Sequence, residues 1–321
     1  MNAIGGFLEL ETRRGSQGAW HSSAVALTSG RACLHAVLAK TQPSRVLVPF
    51  YICDAALEPM RRLEIPIEFY SLTESLDPSR RDWPADAAVV VVNYFDLKNE
   101  TVGSVCTSLG ERAVVDDTHA FFRRGRGPSY SFNSARKFFG VPDGAYAYGP
   151  AIHDIRPTRH NDTAPTAHLS TRLSGDLHRA YAEYKVAEAR VSCDVLLPSR
   201  CAEELLAGIA YAEAHAARRR NFVHVHNLLG DANTLAINFV LDADAAPSYY
   251  PFLPSGPSLH EKLWRRSIFV PRLWPELAAR VSPGFHWEGD LANRLLALPI
   301  DHRYGCDDMR RVCEAVREVA E

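Results

Sequence analysis

The sequence predicts an α/β fold built on a largely parallel sheet, and three observations carry that prediction. The run Ala87–Val92 (AAVVVV) has no polar face, the pattern of a strand covered on both sides in a parallel sheet. Short apolar runs alternate with segments of helical periodicity through the first half of the chain. The second half carries longer helical patterns and closes on a smaller alternation, which predicts a second, smaller α/β unit. A chain of 321 residues can bury both. The expected division is a lead segment and large domain over 1–200, then a connecting helix and small domain over 201–321.

Taken in order, the lead segment holds one short apolar stretch, Phe7 to Leu10. Leu34, Val37 and Leu38 fall at helical spacing, and Thr28-Ser29-Gly30 stands where that helix should begin. A helix N-terminus with a glycine offers close backbone approach and free N–H groups, which suit a phosphate. Ser29, Gly30 and Arg31 therefore read either as a phosphate cup or as a helix cap without a ligand. Val46 to Pro49 reads as a buried strand opening into an aromatic loop with Phe50 and Tyr51, and Pro59 shortens or kinks the next helix. Strands follow at Ile67 to Tyr70 and Ala87 to Val92. Asn93 and Tyr94 end the second as substrate-lining or loop-anchoring groups. Thr101 to Glu111 is a short helix.

Further on, residues 151–170 read as an exposed or mobile loop, and 172–189 as a charged helix. Residues 201–230 read as one long helix with Leu205, Ile209, Ala212 and Ala216 on a shared face. Leu235, Ile237, Phe239 and Leu241 alternate with other residues, a period of two that marks a strand. A last helix, capped by Asp307, places Met309, Val312, Val316 and Val319 on one face.

Composition narrows the function. A hydrophobic share of 46% is that of an ordinary globular chain, and a net charge of -2 argues against a nucleic-acid binder relying on bulk charge. Seven cysteines without regular spacing fit reduced thiols better than a disulfide framework. With no bilayer-length apolar run and no signal-peptide pattern in the first residues, the expectation is a soluble, cytoplasmic protein. Dinucleotide, P-loop and nucleophile-elbow signatures are missing. His224 and His226 lack partners at zinc-ligand spacing, so no metal is expected.

The chemistry concentrates between Val114 and Tyr148. The apolar lead-in to VVDDTHAFF delivers Asp116, Asp117 and His119 to a strand's C-terminal end, where open α/β sheets hold ligands. YSFNSARKFFGVPDGAYAY follows with a single lysine, Lys137, among aromatics and beside a cation, surroundings that favour a nucleophilic amine. A lysine, a carboxylate and an imidazole at one edge are the parts of a pyridoxal 5′-phosphate (PLP) site. Either Asp116 or Asp117 can serve the pyridine nitrogen. Arg123, Arg124 and Arg126 form a basic cluster that meets a substrate phosphate or is a solvated turn.

These residues also carry a resemblance. Asp116-Asp117-Thr118-His119-Ala120, Ser131-Phe132, Lys137 and Pro142-Asp143-Gly144 resemble the DegT-type sugar aminotransferases, PLP enzymes of fold-type I. The likeness runs from Leu27-Thr28-Ser29-Gly30-Arg31 to Leu298-Pro299-Ile300 and is closer to a short branch with an Arg-Lys-Phe-Phe-Gly-Val-Pro-Asp-Gly signature. The resemblance implies an aspartate-aminotransferase-like large domain and Lys137 as the Schiff-base lysine. It puts Asp116, three residues before His119, on the pyridine nitrogen and His119 near the phenolic oxygen. Tyr51, or else Phe50, would stack on the ring, and Ser131 or Ser134 would meet the phosphate. Two departures stand out: Arg31 replaces the family's usual threonine, and Ser131 precedes Lys137 by six residues where five is usual. The resemblance further implies an amino donor, L-glutamate, a keto-sugar nucleotide as acceptor, and a homodimer whose partner completes the phosphate site, with Arg200 the candidate contributor. Rival readings are a PLP enzyme of another reaction, such as dehydration, and a non-catalytic protein that kept the fold.

Overall fold

The valine-rich runs become the middle of a twisted central sheet. The computed structural model describes residues 3–12, 15, 18–159, 165–280 and 283–320. In chain order these form β1 (Ile4–Gly5), β2 (Val25–Leu27), α1 (Gly30–Thr41), β3 (Arg45–Pro49), α2 (Asp54–Arg62), β4 (Ile67–Tyr70), β5 (Ala87–Val92), α3 (Asn99–Leu109), β6 (Ala113–Asp116), β7 (Tyr130–Phe132) and β8 (Ala145–Tyr148). There follow α4 (Ala167–Leu173), α5 (Leu177–Ala189), α6 (Arg200–Ala207), α7 (Tyr211–Leu229), β9 (Tyr249–Phe252), α8 (His260–Trp264), β10 (Ile268–Phe269), α9 (His286–Arg294), β11 (Leu296–Pro299) and α10 (Cys306–Ala320).

Among the described residues the large sheet has seven strands in the order β2-β8-β7-β6-β5-β3-β4. β7, β6, β5, β3 and β4 run parallel, and β8 alone opposes its neighbours. All six residues of β5 are buried, as its unbroken apolar run requires. Because β3, β5, β6 and β7 share a direction, their C-terminal ends deliver Tyr51, Asn93, Asp116 and Ser134 to one edge. α2 keeps Pro59 inside it and ends three residues later, as expected of a proline that cannot donate to the helix ladder.

A second core joins α7, α10 and the antiparallel pair β9–β11, with Phe222, Val225, Leu298, Val312 and Val316 fully buried. β1 pairs with β10, so Ile4 also belongs to this core. The predicted face of the last helix is buried at Met309, Val312, Val316 and Val319. The helix starts one residue earlier than its predicted cap: Asp307 lies in its first turn, and Asp308 accepts from the Gly305 N–H at 3.0 Å.

Four expectations are corrected. The helix predicted over 201–230 is two, α6 and α7, separated at Gly208. The break resets the phase, so Leu205 and Ile209 stay buried while Ala214 and Ala217, rather than Ala212 and Ala216, enter the core. The charged helix over 172–189 is likewise α4 and α5, joined by a turn where Gly175 has φ +92° and Asp176 caps α5. Residues 235–241 form no strand. Leu235 is buried and Ile237, Phe239 and Leu241 are half-buried, so the alternation survives. Their donors, however, serve local turns, Ile237 N–H to Leu235 O at 3.0 Å and Val240 N–H to Asn238 Oδ1 at 3.0 Å. Alternation specifies faces and supplies no partner strand. The polar loop of 151–170 already enters α4 at Ala167, and its residues 160–164 lie outside the described residues.

Candidate active site

A cavity of about 670 Å³ opens at the C-terminal edge of the sheet, with Arg218, Tyr249 and Asp301 from the second half of the chain on its wall. Lys137, Asp116, His119, Ser29, Gly30, Arg31 and Ser134 all line it. Local chemistry explains their placement. β6 ends at Asp116, whose Oδ1 accepts from the Thr118 N–H at 2.8 Å and turns the chain sharply. Lys137 sits on a 3-10 turn, Ala135–Lys137, beyond β7, and its Nζ donates to Thr118 Oγ1 at 3.0 Å. Phe138 and Phe139 anchor that turn in an aromatic cluster with Phe121 and Phe122. Gly140 follows because nothing larger fits: a Cβ there would lie 1.5 Å from the Glu9 carbonyl oxygen. That contact seats the lead segment, so Phe7 and Leu8 reach the cavity wall.

The two aspartates divide cleanly. Asp117 takes a bidentate pair of bonds from Arg126 and a third from Asn93 Nδ2 at 3.0 Å, so its charge is satisfied away from the cavity. Asp116 faces the cavity. Burial pushes its carboxyl above the ordinary range, and the Lys137 charge opposes that push. A carboxylate so buried holds its charge only against a cation. Burial and the Lys137 charge hold His119 neutral, well below the usual imidazole range. Its Nδ1 faces the Phe95 N–H at 3.5 Å.

At the opposite end, Ser29 caps α1 by accepting from the Ala32 N–H at 3.1 Å, and its own hydroxyl donates to Ser192 O at 2.9 Å. The backbone N–H groups of Gly30 and Arg31 belong to a first helical turn, which has no intrahelical acceptors. The Arg31 side chain pairs with Glu58 at 3.0 Å and Glu188 at 3.3 Å.

Four expected site residues do not line the cavity: Tyr51, Ser131, Asn93 and Tyr94. Tyr51 is buried between Tyr94 and Trp274, with ring centroids 5.7 and 4.9 Å away. The aromatic on the wall beside His119 is Trp274, whose ring lies 6.1 Å from the imidazole at 19°. Ser131 pairs with Tyr148 within the sheet, and its neighbour Phe132 takes the cavity side, as strand alternation demands. Asn93 bridges Asp117, Asp96 and Asn99, and Tyr94 donates to the Tyr51 carbonyl. The basic cluster is spent internally. Arg123 holds Asp96 and Asp242, Arg126 holds Asp117, and Arg124 lies 4.2 Å over Trp20. Arg200 heads α6, exposed and off the cavity wall. Thr118 and Trp274 were not among the expected site residues. Thr118 had a signal, as a hydroxyl between the aspartates and His119. Trp274 had none, lying far along the chain.

The donor set fits PLP: an amine, a buried carboxylate that needs a cation, a neutral imidazole and a helix N-terminus face one cavity. No helix among the described residues is long and apolar enough to cross a membrane.

No protein-family model and no curated protein matches this sequence. Solved structures do match its fold. DesI, solved in the presence of its TDP-sugar product, is 18% identical, with 92% of this chain and 80% of that chain covered at a TM-score of 0.64. A DegT DnrJ EryC1 StrS aminotransferase from Brucella abortus is 16% identical, with 92% and 85% covered at 0.61. Spr1654 from Streptococcus pneumoniae, in its PLP-form, is 12% identical, with 98% and 93% covered at 0.63. The likeness spans nearly the whole chain, and with its mostly parallel sheet this protein has the fold of the fold-type I sugar aminotransferases.

Proposed function

We propose that this protein is a PLP-dependent aminotransferase moving an amino group from an amino-acid donor, L-glutamate, to a keto-sugar nucleotide. The observation that carries the reading is the meeting of Lys137, Asp116 and His119 on one cavity wall at the sheet edge. Bound PLP supplies an electron sink for the pair released when the substrate Cα–H bond breaks. Lys137 would hold the cofactor covalently, and its freed amine would carry the proton at the substrate Cα. Thr118 orients that amine through its hydroxyl. Asp116 would keep a proton on the pyridine nitrogen through a charge-assisted hydrogen bond. His119 would serve the phenolic oxygen, and the α1 N-terminus and Ser134 would hold the phosphate. The acceptor class is supported by DesI, solved with a TDP-sugar product. We further infer a homodimer in the cytoplasm, the partner adding donors to the phosphate site.

The test is spectroscopic. PLP added to the protein should give a visible absorption band that L-glutamate removes and a keto acid restores. Borohydride reduction should leave the pyridoxyl label on Lys137, and Lys137→Ala should show neither band nor label. A label on another lysine, or a band that glutamate leaves unchanged, overturns the reading.

A further inference from the structure

The anion end of the cavity already holds an anion, the chain's own Glu188. Its Oε2 takes Arg136 Nη2 at 2.9 Å, and its Oε1 takes Arg31 Nη2 at 3.3 Å. Both guanidiniums line the cavity beside Ser29, Gly30 and Ser134. Arg31 also carries Glu58, so two cations face two carboxylates and leave little net charge for an incoming dianion. Burial would raise the Glu188 carboxyl, but Arg136 and then Arg31 hold it below the ordinary range.

Glu188 stands near the end of α5, and α5 buries little apolar surface. Its buried residues are Ala180 and Ala187, while Tyr181 and Val186 are more than half exposed. A helix with so little apolar burial opens at low cost compared with the core strands. Polar pairs and the Tyr184 ring hold it over the cavity, with Phe7 stacked on Tyr184 at 4.6 Å and 8° and His168 of α4 against the same ring at 5.9 Å.

We propose that Arg31 and Arg136 form a binding site for a phosphate monoester, and that Glu188 is a displaceable carboxylate occupying it until the ligand arrives. This rests on the cofactor reading above, with the phosphate of PLP as the ligand. Phosphate and Glu188 compete for the same two guanidiniums, and α5 shifts as the carboxylate leaves. Arg136 thereby becomes a phosphate ligand supplied within the chain.

The proposal is tested by titrating wild type, Glu188→Gln and Arg136→Gln with PLP and, in parallel, with pyridoxal, which lacks the phosphate. Glu188→Gln should tighten PLP about tenfold, the scale set by one like charge at a partly exposed site. Arg136→Gln should weaken PLP by about the same factor, and neither change should move pyridoxal. Weaker or unchanged PLP binding in Glu188→Gln, or an equal shift with pyridoxal, overturns the proposal. Calorimetric titration with inorganic phosphate separates the two readings. If neither aldehyde binds wild type, the aminotransferase reading falls. Tighter phosphate binding by Glu188→Gln would still support the anion site, and unchanged phosphate binding would overturn it.

Discussion

At the scale of single residues, neighbouring aspartates acquire different roles from their surroundings. Asp117 has a guanidinium partner and the Asn93 amide, so it acts as a structural ion pair. Asp116 has a buried face on the cavity with its pKa pushed up by desolvation, the environment of a group that answers to a ligand cation. Asp116→Asn should leave PLP bound but lower kcat by a factor on the order of 10² to 10³, since the ring nitrogen loses its charge partner. Asp117→Asn should instead lower stability by about 3 kcal/mol, because it leaves the Arg126 charge without its buried partner. Steady-state kinetics and chemical denaturation of the two variants check this, and the reverse pattern would exchange their roles.

At the scale of elements, the lysine-bearing turn depends on a backbone contact. Gly140 lets the Glu9 carbonyl pass where any Cβ would collide, and its own carbonyl accepts from the Glu11 N–H at 2.9 Å. Gly140→Ala should cost about 2–3 kcal/mol by forcing the lead segment away from the turn. The same change should weaken PLP binding, because Phe7 and Leu8 leave the cavity wall with that segment. Denaturation midpoints and PLP titration read the two effects separately. A variant as stable as wild type would show that the lead segment docks without this contact.

At the scale of the whole molecule, buried histidines set an acid limit. Burial lowers His21 to about 3 and His260 to about 4, so both are neutral in the folded chain. The unfolded chain takes up those protons near pH 6.5, so stability is intact above that pH. It is lost progressively as the pH falls below 6.5, by about 1.4 kcal/mol per pH unit and group, until the folded values of about 4 for His260 and about 3 for His21 are reached. Thermal midpoints between pH 7 and 4 should follow that slope, and His260→Gln should remove its share. Assembly is the second whole-molecule expectation. The proposed homodimer should persist in light scattering with PLP bound, and activity should fall on dilution with the dimer. A fully active monomer would leave the phosphate to donors of one chain, Arg31 and Arg136 foremost.

Much of the sheet was legible in the sequence, because buried parallel strands need unbroken apolar runs and Val46–Pro49 of β3, all of β5 and Ala113–Val115 of β6 are such runs, while the edge strand β4 carries Glu68 and is half-buried. So was the gathering of Asp116, His119 and Lys137, which lie within twenty-two residues on two adjacent strand ends. The face of α10 was equally plain, since helical periodicity is local. Other features needed the folded chain. Whether residues 235–241 form a ladder depends on a partner, and whether 201–230 bends depends on what Gly208 packs against; periodicity encodes neither. Which aspartate faces the cavity was set by Arg126, whose guanidinium takes Asp117, and Trp274 joins the wall from over 150 residues beyond the acidic strand end. The Glu188 bridge between Arg31 and Arg136 belongs to the same class. Local sequence determines which groups a strand end presents. Only tertiary packing decides which charges are already satisfied, because the partner that satisfies them comes from elsewhere in the chain.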